Sequence, residues 1–243
     1  LDQRRRMIGG EVPIDWSAYQ PPTPRLLADP EAAVTAVGAR LAAPGVAVFD
    51  DIDLRGLLPY IDWTFFFHAW QLKGRYPRIL DDAEKGEEAR KLFADAQAMM
   101  ERVIREKWLT AKAVVGLFPA NADGDDIAVF TNASRGARRL TLYNLRKQGR
   151  QPAGHYNDCL GDFVAPLGSG VADYVGGFAC TAGVGIDERL AVFEQDHDDY
   201  QSIMLKALAD RLAEALAEWL HERVRKDLWG YAADEALTDQ AAA

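Results

Sequence analysis

DDYQSIMLKALADRLAEALAEWLHERVRKDLWGY, residues 198–231, decides the fold class. It contains no proline, and its one glycine is Gly230, near the end. Leu205, Leu208, Leu212, Leu216 and Trp219 recur at spacings of three and four, which places them on one stripe of an α-helix. Asp198 or Asp199 is positioned to cap the N-terminus. Arg223, Arg225 and Lys226 fall in the last turns, where cations suit the negative end of the helix dipole. Gly230 is a natural stop. At about 1.5 Å per residue such a helix spans a small domain, so the other elements must pack on it or around it.

Working outward, the 243 residues suffice to bury a core of one large domain. The hydrophobic fraction of 49% and the charged fraction of 27% are ordinary for a globular protein. A net charge of −9 argues against nucleic acid or an anionic membrane as partner, since both select basic surfaces. No apolar run approaches the ~20 residues of a membrane span. The leading LDQRRRMIGG has no apolar segment behind its charges, so it does not read as a secretory signal. Cys159 and Cys180 make neither a disulfide framework nor a metal quartet, which favours a reducing, cytoplasmic location.

Residues 1–28 read as an arm: three arginines, Gly9-Gly10, then the proline-rich stretch around Pro21, Pro22 and Pro24, with Trp16 and Tyr19 suited to lie against the domain. Asp29-Pro30 opens a helix expected to run to Pro44-Gly45. GVAVF (45–49) is a strand, and Asp53 caps a short helix through Ile61. Asp62 opens the apolar IDWTFFFHAW, and Tyr76-Pro77 interrupts it. Gly86 to Trp108 is a second long helix, with Leu92, Phe93, Met99, Met100, Val103 and Ile104 as its stripe. Strands follow at 113–118, 126–130 and 140–145, the first two joined by the turn NADGD. A fourth covers 172–182, where Gly176 and Gly177 mark a bulge or a close backbone approach. A short helix at 187–197 leads into the long one. The order predicts an α+β domain: an antiparallel sheet with helices on one side.

Most signatures of chemistry fail. The glycines of GGFACTAGVG do not make GxGxxG and follow the wrong elements. Ser169 lacks the outer glycines of GxSxG. His155 and Cys159 have metal-like spacing but no second pair, so a loop histidine and a buried cysteine are expected. His221 lies opposite the leucine stripe and reads as solvated. Two acids stand apart. Asp62 sits at a helix start, as cap or as ligand. Glu214 shares a polar face with Asp210, Glu218 and His221; the alternatives are a solvated face, or a ligand or cation offsetting carboxylates spaced four apart. Arg135, Arg138, Arg139, Arg146, Lys147 and Arg150 fall in sixteen residues without an acid, either as a charged edge strand or as a docking site for an acidic partner.

The blocks YIDWTFFFHAWQLKGRYPRIL (60–80), VVGLFPAN (114–121), CLGDFVAP (159–166), DYVGGFACTAGVG (173–185) and 198–235 closely resemble the activation domain of cobalamin-dependent methionine synthase. PIDWSAY (13–19) resembles the arm that enters it. The resemblance implies a curved single α+β domain, here 29–243, with a twisted antiparallel sheet and long helices packed around it, that binds S-adenosylmethionine and meets cobalamin held mainly by a neighbouring domain. It implies an electron donor, flavodoxin or a flavoprotein reductase, for which the basic 135–150 stretch is a candidate dock. Together these reactivate oxidised cobalamin by reductive methylation in a methyltransferase that makes methionine. The domain itself orients one reactant against another, which is catalysis by proximity, and is not catalytic alone. Residue by residue, the family's ligand-binding Asp falls on Asp62 and a ligand-side Glu on Glu214. Both suit the sulfonium and ammonium charges of S-adenosylmethionine.

Departures accompany the likeness. Phe65 stands where the family has proline, and residues 29–44 read as an insertion. The chain ends in DEALTDQAAA, without the family's Arg-Pro-Ala-Pro-Gly-Tyr-Pro segment and its ligand contacts. The resulting expectation is weak or absent S-adenosylmethionine binding by this chain alone. The rival expectation is an adapter that docks a corrinoid domain or flavodoxin without that ligand.

Overall fold

The computed structural model describes residues 14–152 and 154–235. The arginine-rich start and the last eight residues, on which parts of the reading above rest, lie outside them. The long helix forms as the leucine spacing requires. We label the regular elements α1 (Pro30–Ala36), β1 (Arg40–Ala43), β2 (Val46–Ile52), α2 (Trp63–Ala69), α3 (Gly86–Arg105), β3 (Thr110–Asp123), β4 (Asp126–Phe130), β5 (Arg138–Leu142), β6 (Asp173–Val184), α4 (Ile186–Gln195) and α5 (Asp199–Arg223). Asp198 caps α5, its carboxylate accepting from the Gln201 N–H at 3.0 Å. Leu205, Leu208, Leu212, Leu216 and Leu220 are fully buried. Each such leucine contributes about 1.5–3 kcal/mol, so this one stripe anchors the core. After Arg223 the backbone widens into a π-helical turn, Val224–Leu228, and Gly230 ends it with φ +86°.

Every strand ladder is antiparallel, in the order β1-β2-β3-β4-β5, with β6 also on β3. Val115 pairs with both Ala47 of β2 and Phe178 of β6. Ala120 pairs with both Val129 of β4 and Asp173 of β6. A strand has two edges, so β6 runs along one edge of β3 while β2 and β4 share the other. Alternation along the strands then assigns the faces. Ala47, Phe49, Ala113 and Val115 are buried toward the helices, with the Phe49 ring edge-on to Trp219 at 5.5 Å. Val114 and Lys112 point the other way and are exposed. The β4 end has its own small core of Ala120, Ala122, Ile127, Val129 and Val164. This is the α+β architecture expected from the sequence.

Several features differ from the sequence reading. The helix from Pro30 ends at Ala36, and 40–43 is a strand hairpinned to β2. The reversal occurs at Gly45, whose φ of +75° and close approach to the Leu117 carbonyl leave no room for a Cβ. The second long helix stops at Arg105. Lys107 turns left-handed (φ +52°), and Trp108 swings back between the guanidinium groups of Arg102 and Arg189, each 4.6 Å from its ring. The third strand is 138–142, because Asn144 leaves the ladder to bond Asp126 and the Asp125 carbonyl. Gly176 and Gly177 sit in unbroken register with Leu117 and Gly116, so they mark a close approach and not a bulge. A Cβ on Gly176 would come within 2.7 Å of the Leu117 side chain.

The segment before α1 packs on the far end of α5. Leu26 is fully buried, the Arg25 N–H donates to the Trp229 carbonyl, and the Trp229 indole donates to the Pro22 carbonyl. Among the described residues, no helix is long and apolar enough to cross a membrane.

Candidate functional site

Asp62 stands at the N-terminus of α2, where the chain changes from extended backbone to helix. One carboxylate oxygen accepts from the Thr64 N–H at 2.8 Å, so it is a true N-cap. The side chain is exposed, and its second oxygen takes no bond among the described residues. The apolar turn behind it is why α2 stays in place. Phe66 and Phe67 are fully buried, and Trp63 stacks edge-on against Phe66 and Phe93. Phe65, by contrast, turns outward at 55% exposure.

Glu214 lies on the outer face of α5, which packs against α2. It is not a bare member of a carboxylate column. Arg211, one turn earlier, gives it two hydrogen bonds, at 2.7 and 2.9 Å, and reaches Asp210 at 2.6 Å. The cation that the like charges called for is therefore supplied by the same helix. The Arg211 guanidinium also lies 5.7 Å from the Phe65 ring centre. Phe65 is three residues after Asp62 on the first turn of α2. A continuous set of contacts thus joins the two acids singled out in the sequence: Asp62, the α2 turn, Phe65, Arg211, Glu214. The sequence reading missed Arg211, although an arginine three residues before Glu214 is a readable helical pair.

A second polar group, also missed, closes the far end of α5. The Tyr60 hydroxyl donates to Glu222, which also pairs with Lys226 at 2.6 Å, while Arg223 pairs with Asp227 at 3.2 Å. Hydrogen bonds from Lys226 and Tyr60 hold the Glu222 carboxyl below its usual range. Burial and that same carboxylate push the Tyr60 phenol up.

The basic stretch is not the open cationic patch it resembled. Arg146 is buried, 5% exposed, and held by Asp125 and Asp162. It cannot meet a partner. Arg138 pairs with Asp123, and Lys147 pairs with Asp158, both at the surface. Arg135 donates to Asn121 and to the Asp173 carbonyl, and so braces β6. The acids come from strands and loops elsewhere in the chain, so a window without acids concealed them. Arg139, over the Phe118 ring, and Arg150 remain exposed.

Cys159 is buried, its thiol donating to the Asp125 carbonyl, and among the described residues no group of three or more His, Cys, Asp or Glu could hold a metal. His221 is exposed but packs edge-on to Phe178 at 5.0 Å, so it is not merely solvated. A shallow depression of 270 Å³ on the open sheet face is lined by Val48, Asp50, Lys112, Val114, Ala179 and Thr181. It includes neither acid and holds one paired carboxylate, Asp50 with Arg40, so it is a poor candidate for ligand chemistry.

Comparison with known proteins decides the family. Residues 53–242 match the family described as vitamin B12 dependent methionine synthase, activation domain. The chain belongs to this family. A crystal structure of the MetH reactivation domain bound to AdoHcy matches it with 46% sequence identity and a TM-score of 0.84, over 98% of this chain. The chain spans 66% of the length of that crystallised chain. The family is named for the activation domain of a vitamin B12 dependent methionine synthase.

Proposed function

We propose that this activation domain binds S-adenosylmethionine and presents its methyl group for the reductive methylation that restores oxidised cobalamin. The observation that carries the reading is the match, at 46% identity across 98% of the chain, to a reactivation domain bound to AdoHcy, the demethylated product of that ligand. Asp62 and Glu214 are the proposed ligand carboxylates. Among the described residues Asp62 has an unspent oxygen at the protein surface, suited to an ammonium or sulfonium charge. Glu214 has a fixed direction because Arg211 holds it. Cobalamin, when bound by a neighbouring domain of the enzyme, supplies the methyl acceptor once one electron has reduced it. This chain's own residues bind and orient the donor, which lowers the barrier by placement. The proposed partners are that cobalamin-binding domain and a flavodoxin or flavoprotein reductase as electron source. The location fitting these roles is the cytoplasm. Calorimetric titration of S-adenosylmethionine and AdoHcy into the chain tests the reading. It expects saturable binding that weakens when Asp62 is changed, and no binding of either ligand would reject it.

A second reading, an adapter that docks a corrinoid domain or flavodoxin without the ligand, keeps one supporting observation. Tyr143 and Leu145 are 84% and 85% exposed and lie between the exposed Arg139 and Arg150 in the sequence. Exposed apolar groups suit a protein partner.

A further inference from the structure

We propose that Arg211 is a positioning residue that sets the ligand-binding face by fixing Glu214 and clamping α5 to the first turn of α2. This rests on the S-adenosylmethionine reading above and deepens it.

The observation is a mismatch of burial. Arg211 is only 10% exposed, yet the two carboxylates it binds are 59% and 69% exposed. An ordinary surface pair leaves both partners in water and contributes little. Here the cation is withdrawn beneath its anions, and the Phe65 ring lies 5.7 Å from its centre on the α2 side. Taking a guanidinium out of water is unfavourable unless its donors find partners. Both terminal nitrogens of Arg211 are used: they bind Glu214 in bidentate fashion, one is shared with Asp210, and the cation faces an aromatic ring. The arrangement fixes the Glu214 carboxylate, which would otherwise sample several rotamers, and ties it to the turn that Asp62 caps. Phe65, which the sequence reading marks as a departure from the family's proline, supplies the platform for the clamp.

Geometry and charge make opposite predictions, and this gives a sharp test. Arg211 is a cation beside a proposed site for a cationic ligand. If it were only a charge, Arg211→Gln would strengthen S-adenosylmethionine binding and leave the uncharged thioether AdoHcy nearly unaffected. If it positions the site, Arg211→Gln weakens both ligands in parallel, by about 10-fold, on the order of one strong charge-assisted contact. Arg211→Lys keeps the charge but not the fork, so it does not restore binding. In the Arg211→Gln background, Glu214→Gln adds little further loss, because the two act as a unit.

Titration calorimetry of the full chain and these variants with both ligands gives the answer, with thermal melts as a folding control. Should Arg211→Gln fail to fold, Phe65→Leu removes the aromatic platform without stranding a charge. It is expected to weaken both ligands about 2–3-fold, as loss of a cation–π contact would. Unchanged or tighter S-adenosylmethionine binding in Arg211→Gln, full restoration by lysine, or additive losses with Glu214→Gln would each overturn the clamp and leave the ligand reading intact. If the wild-type chain binds neither ligand, the ligand reading and the clamp fall together.

Discussion

Arg146 meets Asp162 in a two-point ion pair, with both N···O distances 2.5 Å and both side chains 5% exposed. The same guanidinium bonds Asp125 at 2.8 Å and the Asn157 carbonyl at 2.7 Å. It ties the long connection between β5 and β6 to the turn between β3 and β4. The surrounding carboxylates push the Arg146 pKa up from its ordinary value, so this cation stays charged throughout the accessible pH range. Its role is to hold the loop, not to recruit a partner. Arg146→Met strands the buried Asp162 carboxylate and takes a partner from the half-buried Asp125 carboxylate, and is expected to destabilise the chain by about 3–5 kcal/mol. Urea denaturation measures it, and a loss under about 1 kcal/mol would show that the pair is solvated.

Asp62 carries two separable roles, as cap and as proposed ligand. Asp62→Asn keeps a capping oxygen but loses the charge, so stability changes little while S-adenosylmethionine binding drops about 10-fold or more. Asp62→Ala loses both, with a stability loss of about 1 kcal/mol. Thermal melts and titrations on the pair separate the roles. If Asn binds the ligand as well as the wild type does, Asp62 is a cap alone.

Glu222 sets an acid-dependent contribution. Its folded pKa is lowered, so its stabilisation is present above the unfolded value, near 4.3, and is lost as pH falls through the folded value. Glu222→Gln should therefore be less stable than wild type at pH ~7, with the gap closing toward pH ~3. Parallel urea melts at the two pH values check this. A gap independent of pH would mean that the hydrogen bond with Tyr60, not the charge, is what matters.

Arg139 and Arg150 are the cations of the basic stretch that remain exposed with no acidic partner among the described residues. Reversing both to glutamate should slow association with a flavodoxin in a salt-sensitive way and leave S-adenosylmethionine binding unchanged. Stopped-flow measurements at low and high salt would expose the effect. Equal rates in both proteins at low salt would remove this surface from the account.

What the sequence made legible was local. The α5 stripe, the caps at Asp29, Asp53, Asp62 and Asp198, and the antiparallel strands all follow from spacing and turn chemistry within a few residues. What it hid was nonlocal. The acids that neutralise Arg146 lie 21 residues before it and 16 after it, and no window of composition connects them. The strand at 40–43 was hidden because alanine-rich sequence fits a helix, whereas its pairing with β2 across the turn at Gly45 is set by the close approach of Gly45 to β3. Arg211 was within reach, since a pair three apart on a helix can be read directly. Its burial beside Phe65 could not be, because that depends on how α2 lies against α5.

The most direct measurement is calorimetric titration of S-adenosylmethionine into this chain and into its Asp62→Asn variant. The account predicts saturable binding by the wild type, weaker than about 1 μM, and about 10-fold weaker binding or none by the variant. Equal binding by both proteins, or no heat from either, would contradict it.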